Sequence, residues 1–291
     1  MLKSMTGFGR AERVIGKKTF LVEIKSLNGK QFEILLKLPP LLKAYEFDIR
    51  NLLSEKLLRG TIDCVITLKQ NGATKPVVIN TELAKSYYQQ LAEMAESLNL
   101  DTGSILSSLL KLPEVVVPST EILEKEEWQL FQDVIQEAIT NINTHRSNEG
   151  EMLEKDLTLR INNIGRLQKT VIELEPLRQQ KIREGLVKLL EENVGKDNFD
   201  RNRMEQEMIY YIEKIDINEE QVRLKNHCDY FLALINEAGE AKGKKLSFVL
   251  QEIGREINTT GAKAYDSEIQ KAVVIMKDEL EKAKEQVLNV L

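Results

Sequence analysis

The sequence has little of the chemistry that staples or anchors a fold. Only two cysteines, Cys64 and Cys228, occur in 291 residues. There is no Cys-x-x-Cys and no histidine pair at metal spacing, which excludes a disulfide framework and a zinc finger. Cys228 follows His227 directly, so on a helix the two point about 100° apart, and both cysteines read as small buried hydrophobes. No apolar run approaches the ~18 residues of a membrane span. The N-terminus, Met1-Leu-Lys-Ser-Met-Thr-Gly, lacks the apolar core of a signal peptide, so a cytoplasmic location with no membrane contact is the expectation. Aromatic residues make up 5% and charged residues 30%, a balance that fits a helix-rich chain long enough for two domains.

A net charge of −5 weighs against a generic nucleic-acid binder, but the charge is unevenly spread. Residues 1–80 hold 14 Lys+Arg against 7 Asp+Glu, leaving 27 against 39 of the 41 and 46 to the rest. The basic part could face a polyanion while the acidic part supplies structure or metal ligands; a plain solvated basic surface accounts for the excess equally well.

Residues 3–38 read as strands. Phe20, Val22 and Ile24 alternate with polar neighbours, as do Phe32, Ile34, Leu36 and Leu38, and Asn28-Gly29 between them is a hairpin signal. Gly7-Phe-Gly9 has no third glycine and no helix start after it, so it reads as a bulged or closely approached strand rather than a phosphate loop. Pro39-Pro40 ends the strand, Leu42–Leu58 has helical spacing up to Gly60, and Thr61–Lys69 alternates again. Asn71-Gly72 signals a turn, Val77–Ile79 a short strand, and Thr81 the cap of a helix reaching Leu98. The spacing predicts an α+β fold: an antiparallel-sheet α/β domain over residues 1–118, then a long-helix, mainly α region over 119–291. Within the latter, residues 121–194 are expected to fold as two or more helices bent at Gly165 and Pro176. Residues 193–198 read as a loop, 201–215 as a helix, and 264–291 as a coiled-coil-like closing helix.

Chemically useful side chains concentrate between Asp216 and Lys263. Asn218 followed by Gln221 resembles a capping box. On the helix that follows, Glu220, Arg223 and His227 share a face, and Glu219 stands four residues before Arg223. Leu246, Val249, Leu250, Ile253 and Ile257 form the buried stripe of a second helix, with Glu252, Glu256 and Lys263 on its flank. Two antiparallel helices would bring this acid-rich flank opposite His227 and Arg223. Carboxylates with an imidazole suit a divalent metal, and guanidinium with ammonium suits phosphate oxygens. The same spacing also fits a solvated ion-pair face and a structural histidine.

The opening Met1-Leu-Lys-Ser-Met-Thr-Gly-Phe-Gly-Arg-Ala-Glu12, the block Glu23-Ile-Lys-Ser-Leu-Asn28, the stretch Arg146–Asp156 with Glu149-Gly150, and the long block Asp216–Lys263 resemble the YicC/YloC family of bacterial endoribonucleases over nearly the whole chain. The family's Asp-Ile-x-Glu-Glu-x-x-Arg-Leu-x-x-His falls on Asp216, Ile217, Glu219, Glu220, Arg223, Leu224 and His227. Its second block gives Gln251, Glu252, Arg255, Glu256, Asn258 and Thr259, and closes on Lys263. Ser247 stands where the family commonly has Asp, Ala262 where it has Ser, and Gly29-Lys30 where it often has His-Arg.

The resemblance implies an endoribonuclease dependent on Mn2+ or Mg2+, without a small-molecule cofactor, assembled as a homohexamer that admits RNA. Glu219, Glu220, Glu252, Glu256 and His227 are then the candidate metal ligands. His227, Glu252, Glu256 and Arg223 are the candidate catalytic residues, and Arg255, Lys263 and Lys244 would contact phosphate. Arg10, Lys25 and Lys30 of the N-terminal domain would line the RNA path. His227 could alternatively take a proton from a ribose 2′-hydroxyl without a catalytic metal. A non-catalytic RNA-binding adaptor on a helical oligomerisation scaffold is the competing reading.

Overall fold

The computed structural model describes residues 2–29, 31–57, 59–70, 77–98, 103, 105–118, 123, 125–195, 200–237, 239 and 242–291. Alternating apolar residues build its first unit. Strands β1 (Gly7–Ile15) and β2 (Lys18–Leu27) form a hairpin closed by Gly16-Lys17, with Gly16 at φ +60°. That backbone angle is what the first central position of a type II′ turn requires. Strand β3 (Glu33–Lys37), a 3-10 turn (Pro40–Tyr45) and helix α1 (Glu46–Leu57) lead to β4 (Thr61–Gln70). The sheet order is β1-β2-β4-β3, with β4 antiparallel to β2 and parallel to β3.

Two sequence expectations fail here for one reason. The sheet is mixed rather than antiparallel, and Asn28-Gly29 closes no hairpin, because β4 pairs with all ten residues of β2. Strand β3 therefore joins the far edge of β4, and α1 supplies the crossover that parallel neighbours need. Gly29 is small for packing: a Cβ there would come within 2.9 Å of Thr61 Oγ1.

One face of the sheet is buried. Ala11, Phe20, Val22, Ile24, Ile62 and Cys64 pack beneath α1 and the first turns of helix α4 (Lys125–Val194). Gly7 and Gly9 allow that approach, since a Cβ on Gly9 would stand 2.3 Å from the Ala138 carbonyl oxygen. This bears out the closely approached strand read from the sequence. A satellite unit is formed by β5 (Val77–Ile79), helix α2 (Thr81–Ser97), helix α3 (Ile105–Leu109) and β6 (Val116–Pro118), with β5 and β6 antiparallel. Asn80, not Thr81, caps α2 by accepting from the Leu83 amide. The expected Asn71-Gly72 turn lies outside the described residues.

The expectation of several helices over 121–194 is also corrected: α4 is one helix of 70 residues, with Pro176 inside it. Such a length is uncommon for a globular helix, but successive partners share its buried stripe. Phe131 to Ile142 pack on the sheet, while Leu153 to Val171 enter a second core. That core is built by α6 (Asn218–Asn236), α7 (Gly243–Lys263) and α8 (Ser267–Val287), and α5 (Arg201–Ile215) leads into it at Ile217. Of the loop expected over 193–198, Gly195 has φ +92° and residues 196–199 lie outside the described ones.

The chain ends meet. Ser4 bridges Val290, the Leu291 amide donates to the Lys3 carbonyl at 2.9 Å, and the Met5 amide donates to the Asn289 carbonyl at 2.8 Å. Gly150 lies under this clasp, where a Cβ would fall 2.1 Å from the Leu2 carbonyl oxygen. Among the described residues no helix is long and apolar enough to cross a membrane.

Candidate functional site

Helices α6 and α7 run antiparallel, and two side-chain pairs fix their register. Lys263 Nζ donates to Glu220 Oε1 at 2.7 Å and to the Asp216 carbonyl at 3.0 Å. One turn further, Gln221 Nε2 donates to Thr260 Oγ1 at 2.9 Å in full burial. From these anchors the 1.5 Å rise of both helices carries Glu256 back along α7 to about the level of His227, with Glu252 a turn beyond it, and leaves Arg223 level with Asn258 and Thr260. Of the expected meeting of the two flanks, the structure shows the contact of Glu220 with Lys263. Glu220 and Glu256 are each 5% exposed. His227 is half-buried, while Arg223, Glu219, Glu252 and Arg255 are exposed.

The local start of α6 departs from a capping box. Ile217 is the cap residue and carries no capping side chain. The Asp216 carboxylate accepts from the Asn218 amide at 3.0 Å instead. Gln221 is drawn away from the cap because its amide is buried against Thr260 and needs that partner.

A buried arginine that sequence reasoning passed over holds the site in place. Arg178 donates to the Lys263 carbonyl at 3.0 Å, to the Ile215 carbonyl at 2.8 Å and to Glu175 at 2.6 Å. It therefore ties α4 to the end of α7 and to the entry of α6. Gln168 donates to the Gln221 carbonyl from the same face of α4. The signal was present: Ile161, Ile164, Gln168, Val171, Glu175 and Arg178 recur at threes and fours, so these polar groups occupy positions of a buried stripe. Arg146 repeats the device at the sheet, donating to Ser26 Oγ and to the Leu57 carbonyl; burial lowers the pKa of its guanidinium.

Other expected contributors are engaged by neighbours or lie elsewhere. Arg223 is engaged by Glu219 in an exposed i, i+4 pair. Lys244 sits at the opposite end of α7, with Nζ 5.9 Å from the centre of the Phe248 ring. At 1.5 Å per residue that is roughly 28 Å from Lys263. Arg10 and Lys25 are on the sheet face turned away from α4, and Arg10 pairs there with Glu12 at 3.0 Å. Lys30 lies outside the described residues. Cys64 and Cys228 are both buried, and burial, helped by Asp63 and Asp229 respectively, pushes each thiol up to about 12. They take no part in the site.

Carboxylates and an imidazole match a hard or borderline divalent cation in chemistry. One atom is poised for such a role: Glu220 Oε2 is buried without a hydrogen-bond partner, its other oxygen being held by Lys263. Among the described residues, no three His, Cys, Asp or Glu side chains converge closely enough to hold an ion within one chain.

Comparison with known proteins covers both halves of the chain. Residues 2–155 match the family described as "Endoribonuclease YicC-like, N-terminal region", and residues 171–291 match "Endoribonuclease YicC-like, C-terminal". A protein of Clostridioides difficile named "Probable endoribonuclease YicC" is 32% identical over 301 residues, covering 100% of both chains. A Haemophilus influenzae protein of the same name is 31% identical over 294 residues, covering 99% of each.

Proposed function

The chain belongs to the YicC-like endoribonuclease family, and from that premise we propose that it cleaves RNA internally at phosphodiester bonds, at the seam of α6 and α7. The observation that supports this reading is the register of the two helices, in which Glu220–Lys263 and Gln221–Thr260 join the flank of α7 that carries Glu252 and Glu256 to the flank of α6 that carries His227. Activity is read as dependent on Mn2+ or Mg2+. Glu219, Glu220, Glu252, Glu256 and His227 are the set from which ligands would be drawn, although no three of them converge among the described residues; an ion bound there would supply an activated water and offset charge on the phosphate.

The side chains themselves have separable tasks. Arg223 and Arg255, exposed on the two helices, attract and orient phosphate oxygens. His227, half-buried, delivers a proton to the departing ribose oxygen. Lys263 is held by Glu220, so its ammonium is positioned before substrate arrives. The enzyme acts in the cytoplasm on RNA in turnover or processing, as an assembly of several copies, six on the family's pattern, and needs no small-molecule cofactor.

The test is cleavage of an end-labelled hairpin RNA by the full-length protein, in manganese or magnesium against EDTA, beside Glu252→Gln and His227→Ala. Both substitutions are expected to lower the rate at least about a hundredfold while the far-UV spectrum stays that of wild type. RNA binding without cutting under every metal condition would reject the nuclease and favour an adaptor. Cyclic phosphate ends that persist in EDTA would reject the metal and assign His227 to the 2′-hydroxyl.

A further inference from the structure

The open edge of the α6–α7 seam carries two large rings that the chemistry assigned so far does not use. On α6, Tyr230 stands seven residues after Arg223 and three after His227. On α7, Phe248 stands four residues before Glu252, seven before Arg255 and eleven before Thr259. At these spacings each ring shares the face of its helix that holds the charged and polar groups. The apolar stripes lie on other faces, with Leu224, Cys228 and Phe231 buried from α6 and Val249, Leu250 and Ile253 from α7. Tyr230 is 54% and Phe248 55% exposed, and among the described residues neither ring packs on another aromatic side chain.

Register puts the rings on one line. With Glu220 against Lys263 and Gln221 against Thr260, the helical rise sets Tyr230 about 4.5 Å beyond His227 and close to the level of Glu252, and Phe248 roughly 6 Å further along the seam. Cations flank them: Lys244 Nζ is 5.9 Å from the centre of the Phe248 ring, and Lys245 and Arg255 are exposed on the same helix. Ring faces in water beside cations suit a ligand that carries flat apolar surface and negative charge together, which is what a nucleobase and its phosphate supply. Stacking of a base on an exposed aromatic ring strengthens binding by roughly five- to a hundredfold, and any base serves because each has a π face. In a duplex those faces are covered by the neighbouring bases, so only unpaired nucleotides offer them. A partner helix would require a continuous apolar stripe, whereas here Glu252 and Arg255 interrupt the apolar surface with charge.

We propose that Tyr230 and Phe248 stack unpaired bases of the substrate beside the phosphate at His227, so that the seam takes single-stranded or looped RNA and rejects continuous duplex. The proposal deepens the reading of the seam as an RNA-cleaving site and rests on it.

Stopped-flow fluorescence of the full-length protein in manganese buffer tests it, because binding is then read before any cutting. The probes are a single-stranded RNA labelled with 2-aminopurine, the same RNA paired to its complement, and the same RNA carrying abasic sites. Wild type is expected to quench the single-stranded probe and to bind the duplex and the abasic strand at least about tenfold more weakly. Tyr230→Leu and Phe248→Leu remove the rings but keep apolar bulk. Each is expected to bind the intact strand at least about fivefold more weakly and with less quenching, while Tyr230→Trp retains both affinity and quenching. Both positions are more than half exposed, so circular dichroism is expected to match wild type. Equal affinity for single strand and duplex, an abasic strand bound as tightly as the intact one, or wild-type binding in both leucine variants overturns the proposal. Hairpin-RNA cleavage measured on the same samples keeps the two readings apart. Cutting by wild type with ring-independent binding defeats the stacking alone, whereas ring-dependent binding without cutting leaves the stacking in place and defeats the nuclease.

Discussion

At the scale of single residues, the arginines on the buried stripe of α4 carry the sharpest expectations. Arg178 is almost fully buried and serves two carbonyls and a carboxylate on three helices. Arg178→Met removes the cation and strands Glu175, so a loss of about 3–5 kcal/mol is expected in urea denaturation. Lys263→Met leaves Glu220 buried and unpaired, but the lysine end of that pair is 33% exposed. A smaller loss of about 2 kcal/mol follows, and adding Glu220→Gln is expected to recover part of it in a double-mutant cycle. The two thiols give a chemical reading of the same interior. With their pKa values raised to about 12, both stay protonated in the folded chain at pH 8, so a thiol reagent is expected to titrate neither until denaturant is added. The unfolded thiols ionise above pH ~8.5 while the folded ones do not. Stability from this source is therefore intact below that pH and is lost progressively as pH rises from there toward 12.

At the scale of elements, the glycines of β1 are where local rules yield to packing. Gly9→Ala places a methyl 2.3 Å from the Ala138 carbonyl, backbone that cannot step aside without lifting the strand from α4. A loss of about 1–3 kcal/mol is expected in thermal unfolding. The same distinction explains what could be read in advance. Strand and helix periods were legible: Phe20, Val22 and Ile24 face the sheet core, and Leu246, Val249, Leu250, Ile253 and Ile257 are buried as their spacing requires. The flank pairing of Glu220 with Lys263 was legible in kind, since it follows from two amphipathic helices running antiparallel. Partner choice was not legible. Asn28-Gly29 has hairpin chemistry, but the edge it would have joined is filled by a strand more than thirty positions later. Likewise Pro176 suggests a break in isolation, yet Val171, Glu175 and Arg178 around it are held by α5, α6 and α7 on the buried side of the helix. Nothing in a local pattern reports which distant segment will supply that cover.

At the scale of the whole molecule, α4 is a shared beam: its first turns belong to the sheet core and its middle to the helical core. The terminal clasp is the second tie between those cores. Removing residues 288–291 deletes the buried Val290 and Leu291 and the bonds to Lys3 and Met5. A loss of about 3–5 kcal/mol is expected from the two side chains, and calorimetry is expected to show the single transition dividing into two as the cores uncouple. The clasp also sets an order of events during synthesis. Leu2 to Met5 leave the ribosome long before their partners, Asn289 to Leu291. At 5–20 residues per second the interval is roughly 15–60 s. Within that interval the first residues can dock on α4, where Glu154 accepts from the Leu2 amide and the Arg146 carbonyl from the Ser4 amide, but the side of the clasp that Asn289 to Leu291 cover stays open. A product that stops short of those residues lacks the bonds that Leu291 and Asn289 make to the Lys3 carbonyl and the Met5 amide, and that open edge of the N-terminal segment becomes the mark by which a protease can tell it from a chain whose clasp has closed.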